Sequence, residues 1–376
     1  MKIINKILIL MPISFQHGGA EKALVDLVSY SDNPSVKWMV VFASHGSLVE
    51  KIKGLNVETE VLESGRLLNI FKYLLTIFKL VKIIKKEKAD LIIGWTGKAH
   101  LYSGPSSMIA RCKSAWFQMG LPSTSNLSDV ITHMIPTKTI FCCSKFVGNE
   151  QKKLWPRRDL QSVYPGYSSK EFDQKLLHPL EEIKNKLGIV ATKGKIIGIV
   201  GRLQTWKGMH TVIKTMPIVL KKHPETVCLV VGGQHPYEKK YQKFLNQLIA
   251  DLKLYKNVVM VGRQTNIPDW ISVMDVFIHA SDREPFGIVI PEAMALGKAI
   301  IAGDTGGPKE IIKEKSNGLI CPFNDHRKMA ELIIFYLDHP DIAQRMGENA
   351  RTDSKLFTDE RFSKKMIKSI LAITRE

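Results

Sequence analysis

Two glutamates, Glu284 and Glu292, stand with seven residues between them in the stretch SDREPFGIVIPEAMALG, residues 281–297. On a helical path that spacing puts them roughly 12 Å apart, about two turns. Their side chains would then fall within about a quarter turn of each other, Glu284 before the helix and Glu292 on it, both able to face one groove. The N–H groups of Phe286, Gly287, Ile288 and Val289 lie where the helix would start, so no intrahelical acceptor serves them. Such donors suit an anionic or hydroxyl-rich ligand. Gly287 has no side chain to hold a ligand off the backbone. Pro291 is tolerated in a first helical turn, and Gly297 is a natural stop. The layout fits a sugar at one end, a ribose at the other and phosphate between them. Two glutamates alone could equally mark the charged edge of a surface helix, so the other residues must decide.

A second set lies upstream in GRLQTWKG, residues 201–208. Arg202 and Lys207 share one loop flanked by Gly201 and Gly208. Arginine offers a planar fork and lysine a mobile point charge, a pair able to clamp a pyrophosphate. A third set, Gly18 and Gly19, follows an apolar run and precedes a helical pattern at Ala23, Leu24, Leu27 and Val28. Those glycines would let backbone approach phosphate. The third glycine of a dinucleotide fingerprint is missing.

The elements needed to hold these loops are legible as alternation. Short apolar runs are expected as strands at 6–12, 37–43, 57–62, 91–94, 115–118 and 139–143. They recur at 195–200, 227–231, 258–261, 276–279, 299–302 and 317–320, with helical patterns between. That is the signature of doubly wound α/β domains, whose ligands sit at the carboxyl ends of the strands. A length of 376 residues suggests two of them. The expected division is 1–175 and 176–356, with 174–192 as a charged crossover and 357–376 as a last helix.

Five cysteines, an odd number without metal-ligand spacing, point to buried thiols in a reducing compartment. No Asp-x-Asp metal motif occurs. The apolar N-terminus is too short, and too quickly followed by Gly18 and Gly19, to read as a signal peptide. No run offers the roughly 20 apolar residues of a membrane span. The net charge of +18 admits nucleic acid, an anionic membrane or a polyanionic ligand. Residues 67–88 mix Lys72, Lys79, Lys82, Lys85, Lys86 and Lys88 with Phe71, Phe78 and aliphatics. This helix either covers a sheet with a solvated lysine edge or rests on anionic lipid.

Taken together, 201–208, 284–292 and 18–21 resemble the signature segments of the family 4 retaining glycosyltransferases. The similarity extends over nearly the whole chain and is strongest at those three places. It implies the GT-B fold: two Rossmann-like domains facing across a cleft, with the last helix packed back on the first. It implies a nucleoside diphosphate sugar as donor. Arg202 and Lys207 would stabilise the leaving diphosphate, Glu284 would hold a donor-sugar hydroxyl and Glu292 the ribose. Arg263 and Ile267 would lie beside the base. Residues 303–310, with Gly306 and Gly307, match the family's glycine pair. Where the family often has a histidine near the reacting sugar, this chain has Gln118, so His17 and His100 become the other acceptor-side candidates. Ser168 replaces an aspartate usual in the family.

The expected reaction moves a hexose-type sugar to a hydroxyl of a glycan or lipid-linked acceptor, with retention and without metal or other cofactor. A bacterial surface polysaccharide or lipopolysaccharide pathway is the expected setting, with a cytoplasmic protein docked peripherally on membrane. The alternatives are an epimerase or phosphorylase-like enzyme on the same fold, or a basic nucleic-acid-binding protein. No nucleic-acid module accompanies the charge, so no nucleic-acid partner is expected.

Overall fold

The computed structural model describes residues 5–15, 18–30, 35–64, 69–123, 125–173, 178–189 and 194–375. Its contacts divide the chain into two compact units, Met1–Gly166 with Asp359–Glu376, and Tyr167–Thr358.

The first unit holds a seven-stranded sheet. In chain order the strands are β1 (Asn5–Met11), β2 (Val36–Phe42), β3 (Glu58–Val61), β4 (Leu91–Gly94), β5 (Lys113–Gln118), β6 (Thr139–Cys142) and β7 (Leu160–Ser162). Their spatial order is β3-β2-β1-β4-β5-β6-β7, and every pairing is parallel. The second unit holds β8 (Ile196–Val200), β9 (Val227–Val231), β10 (Val258–Gly262), β11 (Val276–His279), β12 (Ala299–Gly303) and β13 (Leu319–Cys321). Their order is β10-β9-β8-β11-β12-β13, again all parallel. Parallel sheets carry helices on both faces, so their strands are apolar throughout rather than alternating. Ile7, Leu8, Ile9 and Met11 in β1 are fully buried, as are Phe277 and Ile278 in β11.

Each order reverses direction at its first strand. The crevice beside β8 and β11 is therefore the topological switch point of the second unit, where such sheets place ligands.

The last helix, Asp359–Arg375, belongs to the first unit. Phe362, Met366, Ile367, Ile370 and Ile373 recur at helical spacing and are buried. Phe362 stacks on Phe117 with 5.9 Å between ring centroids. Ser363 donates to the Asp26 carbonyl at 3.2 Å. Lys113 reaches the carbonyls of Ile373 and Thr374, at 3.1 and 3.0 Å, where a helix end favours a cation.

The division between units precedes the expected 175/176. Tyr167 forms a parallel bridge to Thr358, donates its N–H to Phe357 and places its hydroxyl 3.2 Å from Ser354, all within the second unit. The stretch read as a crossover contains a helix of that unit, Leu180–Leu187, held by Lys186 against Asp269 at 2.8 Å. Residues 174–177 and 190–193 of that stretch lie outside the described residues.

All five cysteines are free thiols. Burial pushes Cys142 and Cys228 up to about 12, away from the reactive thiolate.

Candidate functional site

Three loops meet at the β8–β11 switch point, and each is stitched to the next. The first leaves β8 at Gly201. Gly201 donates to the Val231 carbonyl at 3.0 Å, and a Cβ on Gly232 would sit 1.7 Å from the Gly201 carbonyl oxygen. Only glycine permits that approach. The loop then forms a short 3₁₀ turn, Thr205–Lys207. Glu238 pins this turn by accepting from Gln204 Nε2, Thr205 N and Thr205 Oγ1 at 3.0, 2.8 and 3.0 Å. The Trp206 carbonyl accepts from Asp282 N at 2.7 Å, tying the first loop to the second.

The second loop leaves β11 at His279. Lys207 Nζ reaches Glu284 Oε2 at 2.5 Å and lies 4.1 Å over the Trp206 ring. His279 Nε2 lies 3.1 Å from the same oxygen and 3.2 Å from Ser281 Oγ. A carboxylate oxygen can only accept, so Nε2 carries the proton. His279 Nδ1 is buried and has no hydrogen-bond partner among the described residues. Glu284 is only 7% exposed. Burial works against its ionisation, but the neighbouring Lys207 charge and the His279 hydrogen bond outweigh it and hold the carboxyl well below its usual range.

The third loop leaves β12. Glu284 bridges to Gly306, and its carbonyl accepts from Gly307 N at 2.8 Å. Arg283 N donates to Thr305 Oγ1 at 2.9 Å. Gly306 has φ +86°, and a Cβ there would sit 2.2 Å from the Glu284 carbonyl oxygen.

The expected helix between the glutamates is shorter than the spacing argument required. It runs Val289–Ala295, so Glu284 precedes it and Glu292 sits on it, as expected, but with Glu284 in a loop helical rise does not set the separation. The cause is Gly287, whose φ of +90° turns the chain just ahead of the helix. Ile290 donates back to Gly287 O at 2.9 Å. Among the described residues no backbone carbonyl accepts from Gly287, Ile288 or Val289, so these three N–H groups remain as donors beside the Glu284 loop. Phe286 is buried beside Phe357, its ring serving the core. The helix ends as expected at Gly297, with φ +66°. Gly297 N bonds Met294 O and Lys298 N bonds Ala293 O, the Schellman pairing. Glu292, 7% exposed, sits in this helix.

Arg202 is exposed in the same loop as Lys207, and Arg263 is exposed just past β10, with Ile267 opening the helix Ile267–Ser272. Gly18 and Gly19 belong to the first unit, Gly18 capping the helix Gly19–Ser29 in an extended conformation open to any residue. Gln118 ends β5 in that unit, 8% exposed, and spends its Nε2 on the Gly120 carbonyl at 3.0 Å. His100 does not face an acceptor. It is fully buried in the helix Gly97–Ala110 and lies against Trp116 at 4.4 Å. Burial, aided by the Arg158 charge, pushes it down to about 3, so it is a neutral core residue. His17 lies outside the described residues.

Sequence reasoning passed over His279, Ser281, Trp206 and Glu238. A histidine closing an otherwise apolar strand was the available signal for the first. No group of three or more His, Cys, Asp or Glu that could hold a metal occurs among the described residues.

A cation and a carboxylate thus face each other at the strand ends, with free backbone donors alongside. Such a site can take a ligand carrying both anionic oxygens and hydroxyls. The chain is similar to several known proteins. Residues 181–353 match the family model described as glycosyl transferases group 1. Spore coat protein SA of Bacillus subtilis (strain 168) is 29% identical over 232 residues, 57% of this chain and 60% of that protein. The lipopolysaccharide core biosynthesis mannosyltransferase LpsB of Rhizobium meliloti (strain 1021) is 29% identical over 182 residues, 48% of this chain and 52% of that protein. The chain therefore spans little more than half the length of these curated relatives. Among solved structures, Anabaena HepE in complex with UDP and glucose superposes with a TM-score of 0.87 at 22% identity, covering 98% of this chain and 100% of that one. The fold is GT-B, built from two Rossmann-like sheets.

Proposed function

We propose, from the match of residues 181–353 to the glycosyl transferases group 1 family model, that the protein is a retaining, metal-independent glycosyltransferase. It moves a hexose-type sugar from a nucleoside diphosphate sugar to a hydroxyl of a glycan or lipid-linked acceptor. The observation that carries this reading is the Lys207–Glu284–His279 cluster at the switch point of the second unit. Glu284, kept ionised, accepts from a hydroxyl of the donor sugar. A charge-assisted bond of this kind contributes about 1.5–3 kcal/mol. Lys207 is close enough to serve the carboxylate and the adjoining phosphate in turn. Arg202 and the N–H groups of Gly287, Ile288 and Val289 supply further donors to the diphosphate. Glu292 accepts from the ribose hydroxyls.

The chemical demand is the charge that grows on the leaving diphosphate. Fixed cations and oriented N–H groups stabilise it without reorganising. The bond from the anomeric carbon to the phosphate oxygen breaks as the bond to the acceptor oxygen forms on the same face. The departing phosphate oxygen takes the acceptor's proton, so no dedicated protein base is needed, consistent with a glutamine at position 118. Relatives named for lipopolysaccharide core synthesis support a surface-glycan or glycolipid acceptor.

A thermal-shift panel of UDP, GDP, ADP and their sugars tests the donor class. A matched ligand at 100 times its Kd stabilises by about 2.7 kcal/mol. With that ligand, Glu292→Ala and Arg202→Ala are expected to bind more weakly by calorimetry while remaining folded. Unchanged affinity in both variants would remove the donor-site assignment. Release of free nucleoside diphosphate should depend on added acceptor; release or isomerisation without acceptor would favour an epimerase-like enzyme. Activity is expected to persist in EDTA, because Lys207 and Arg202 supply the positive charge. Loss in EDTA with recovery on adding magnesium would overturn the metal-independent reading.

A further inference from the structure

The helix Ile70–Lys86 has two different apolar faces. One is buried in the first unit: Thr76, Ile77, Leu80, Val81, Ile83 and Ile84 point inward, and Tyr73 donates to the Leu101 carbonyl at 2.8 Å. The other is open. Phe71 is 83% exposed, Phe78 56%, Leu75 53% and Leu74 43%. At 100° per residue these four lie within about 100° of arc, opposite the buried face. The same outward stripe continues into Lys82, Lys85 and Lys86, with Lys72 and Lys79 along its flank, all exposed. Asn69 caps the start by accepting from Lys72 N at 3.1 Å, which fixes where the apolar end begins. Leu67 and Leu68, part of the stretch singled out in the sequence, lie outside the described residues.

The outward face is thus divided along its length. Its first two turns are large and apolar; its last two are cationic. A helix that merely covers a sheet needs one apolar face, and the second is unexplained by packing. Four large apolar side chains in water beside five lysines match the two-part chemistry of an anionic bilayer, with an acyl boundary beneath a negative headgroup layer. No helix among the described residues is long and apolar enough to cross a membrane, so any such contact is superficial.

We propose that this face docks on anionic lipid, with Phe71, Leu74, Leu75 and Phe78 entering the acyl boundary and the lysines resting at headgroup level. The side chains of Lys72 and Lys79 are long enough to lie along the apolar stripe and still reach the headgroups. A peptide-sized acidic partner would use the lysines but leave Phe71 and Phe78 without a purpose, and a second copy of a chain this basic would be repelled. The inference does not rest on the activity proposed above.

The test is co-sedimentation of the full chain with vesicles of phosphatidylcholine alone and of phosphatidylcholine mixed with phosphatidylglycerol, at low and high salt. Wild type should pellet with the mixed vesicles at low salt and release as salt rises. Each basic residue near an anionic surface strengthens binding about fivefold. Replacing Lys72, Lys79, Lys82 and Lys86 by glutamine should therefore cut binding by well over tenfold. F71S/F78S should weaken it as well, because the apolar half then has nothing to insert. Both variants change exposed residues only, and circular dichroism checks their fold. Equal pelleting with both lipids, or full binding by either variant, overturns the proposal. So does lipid-free self-association in ultracentrifugation that F71S/F78S abolishes, which would make the face a contact between copies.

Discussion

Glu284→Ala is expected to lower turnover by about a hundredfold or more, while affinity for the bare nucleoside diphosphate stays level or rises slightly. On the function proposed above, the size follows from deleting a charged acceptor for the donor sugar, comparable to removing one fixed polar group from a transition-state site. The sign on the bare diphosphate follows from geometry. Lys207 is held at 2.5 Å by Glu284, and without that carboxylate its full charge is available to phosphate. A ligand lacking the sugar has nothing to lose. Steady-state kinetics with the complete donor, set against calorimetry with the bare diphosphate, separates the two. An equal fall in both would mean that Glu284 serves the phosphates or the fold instead.

Lys207→Ala should do more damage, because it strikes both chemistry and stability. Turnover should fall by about a hundredfold to a thousandfold as the leaving group loses a fixed cation. The alanine also leaves a carboxylate that is 7% exposed without its charged partner. Breaking a buried pair from one side typically costs about 3–5 kcal/mol. The compensating change is Glu284→Gln. The double variant K207A/E284Q should melt above K207A, although it is equally inactive, and a double-mutant cycle on melting temperature reads the coupling.

The pH dependence has a fixed sign. Lys207 and His279 depress the Glu284 carboxyl, so the stability it contributes is complete above the unfolded carboxylate value of about 4.3. It is lost progressively as pH falls below that value toward the depressed folded one. The melting difference between wild type and Glu284→Gln should accordingly be flat from neutral pH to about 5 and narrow in more acid solution. A difference that widens on acidification would show that Glu284 is not held ionised.

Much of this site could be read before any coordinates. The apolar runs of β8 and β11 announced buried parallel strands, and the loops that follow them carry Arg202, Lys207 and Glu284. What the sequence withheld depended on backbone angles and burial. Nothing in the string PFGIVIPEA reveals that Gly287 adopts φ +90° just ahead of the helix Val289–Ala295. His100 lies in a helix and His279 ends a strand, and one is sealed against Trp116 while the other hydrogen-bonds a site carboxylate. Composition cannot separate them, since the difference lies in what packs around each ring. The helix Ile70–Lys86 was ambiguous for a related reason. Its apolar residues were too many for one face, and only the packed structure divides them into an inward and an outward set.

The stitching of the three loops bears on how this site could be re-engineered. Loops at the ends of parallel strands are commonly treated as exchangeable cassettes on a fixed scaffold. Here the Trp206 carbonyl holds the Asp282 amide, Thr305 holds the Arg283 amide, and Glu284 pairs with Gly306 and Gly307. Transplanting the middle loop would sever bonds to both of the others, and transplanting either outer loop would sever its bonds to the middle one. The rim behaves as a single part, and grafts should succeed only when all three segments travel together.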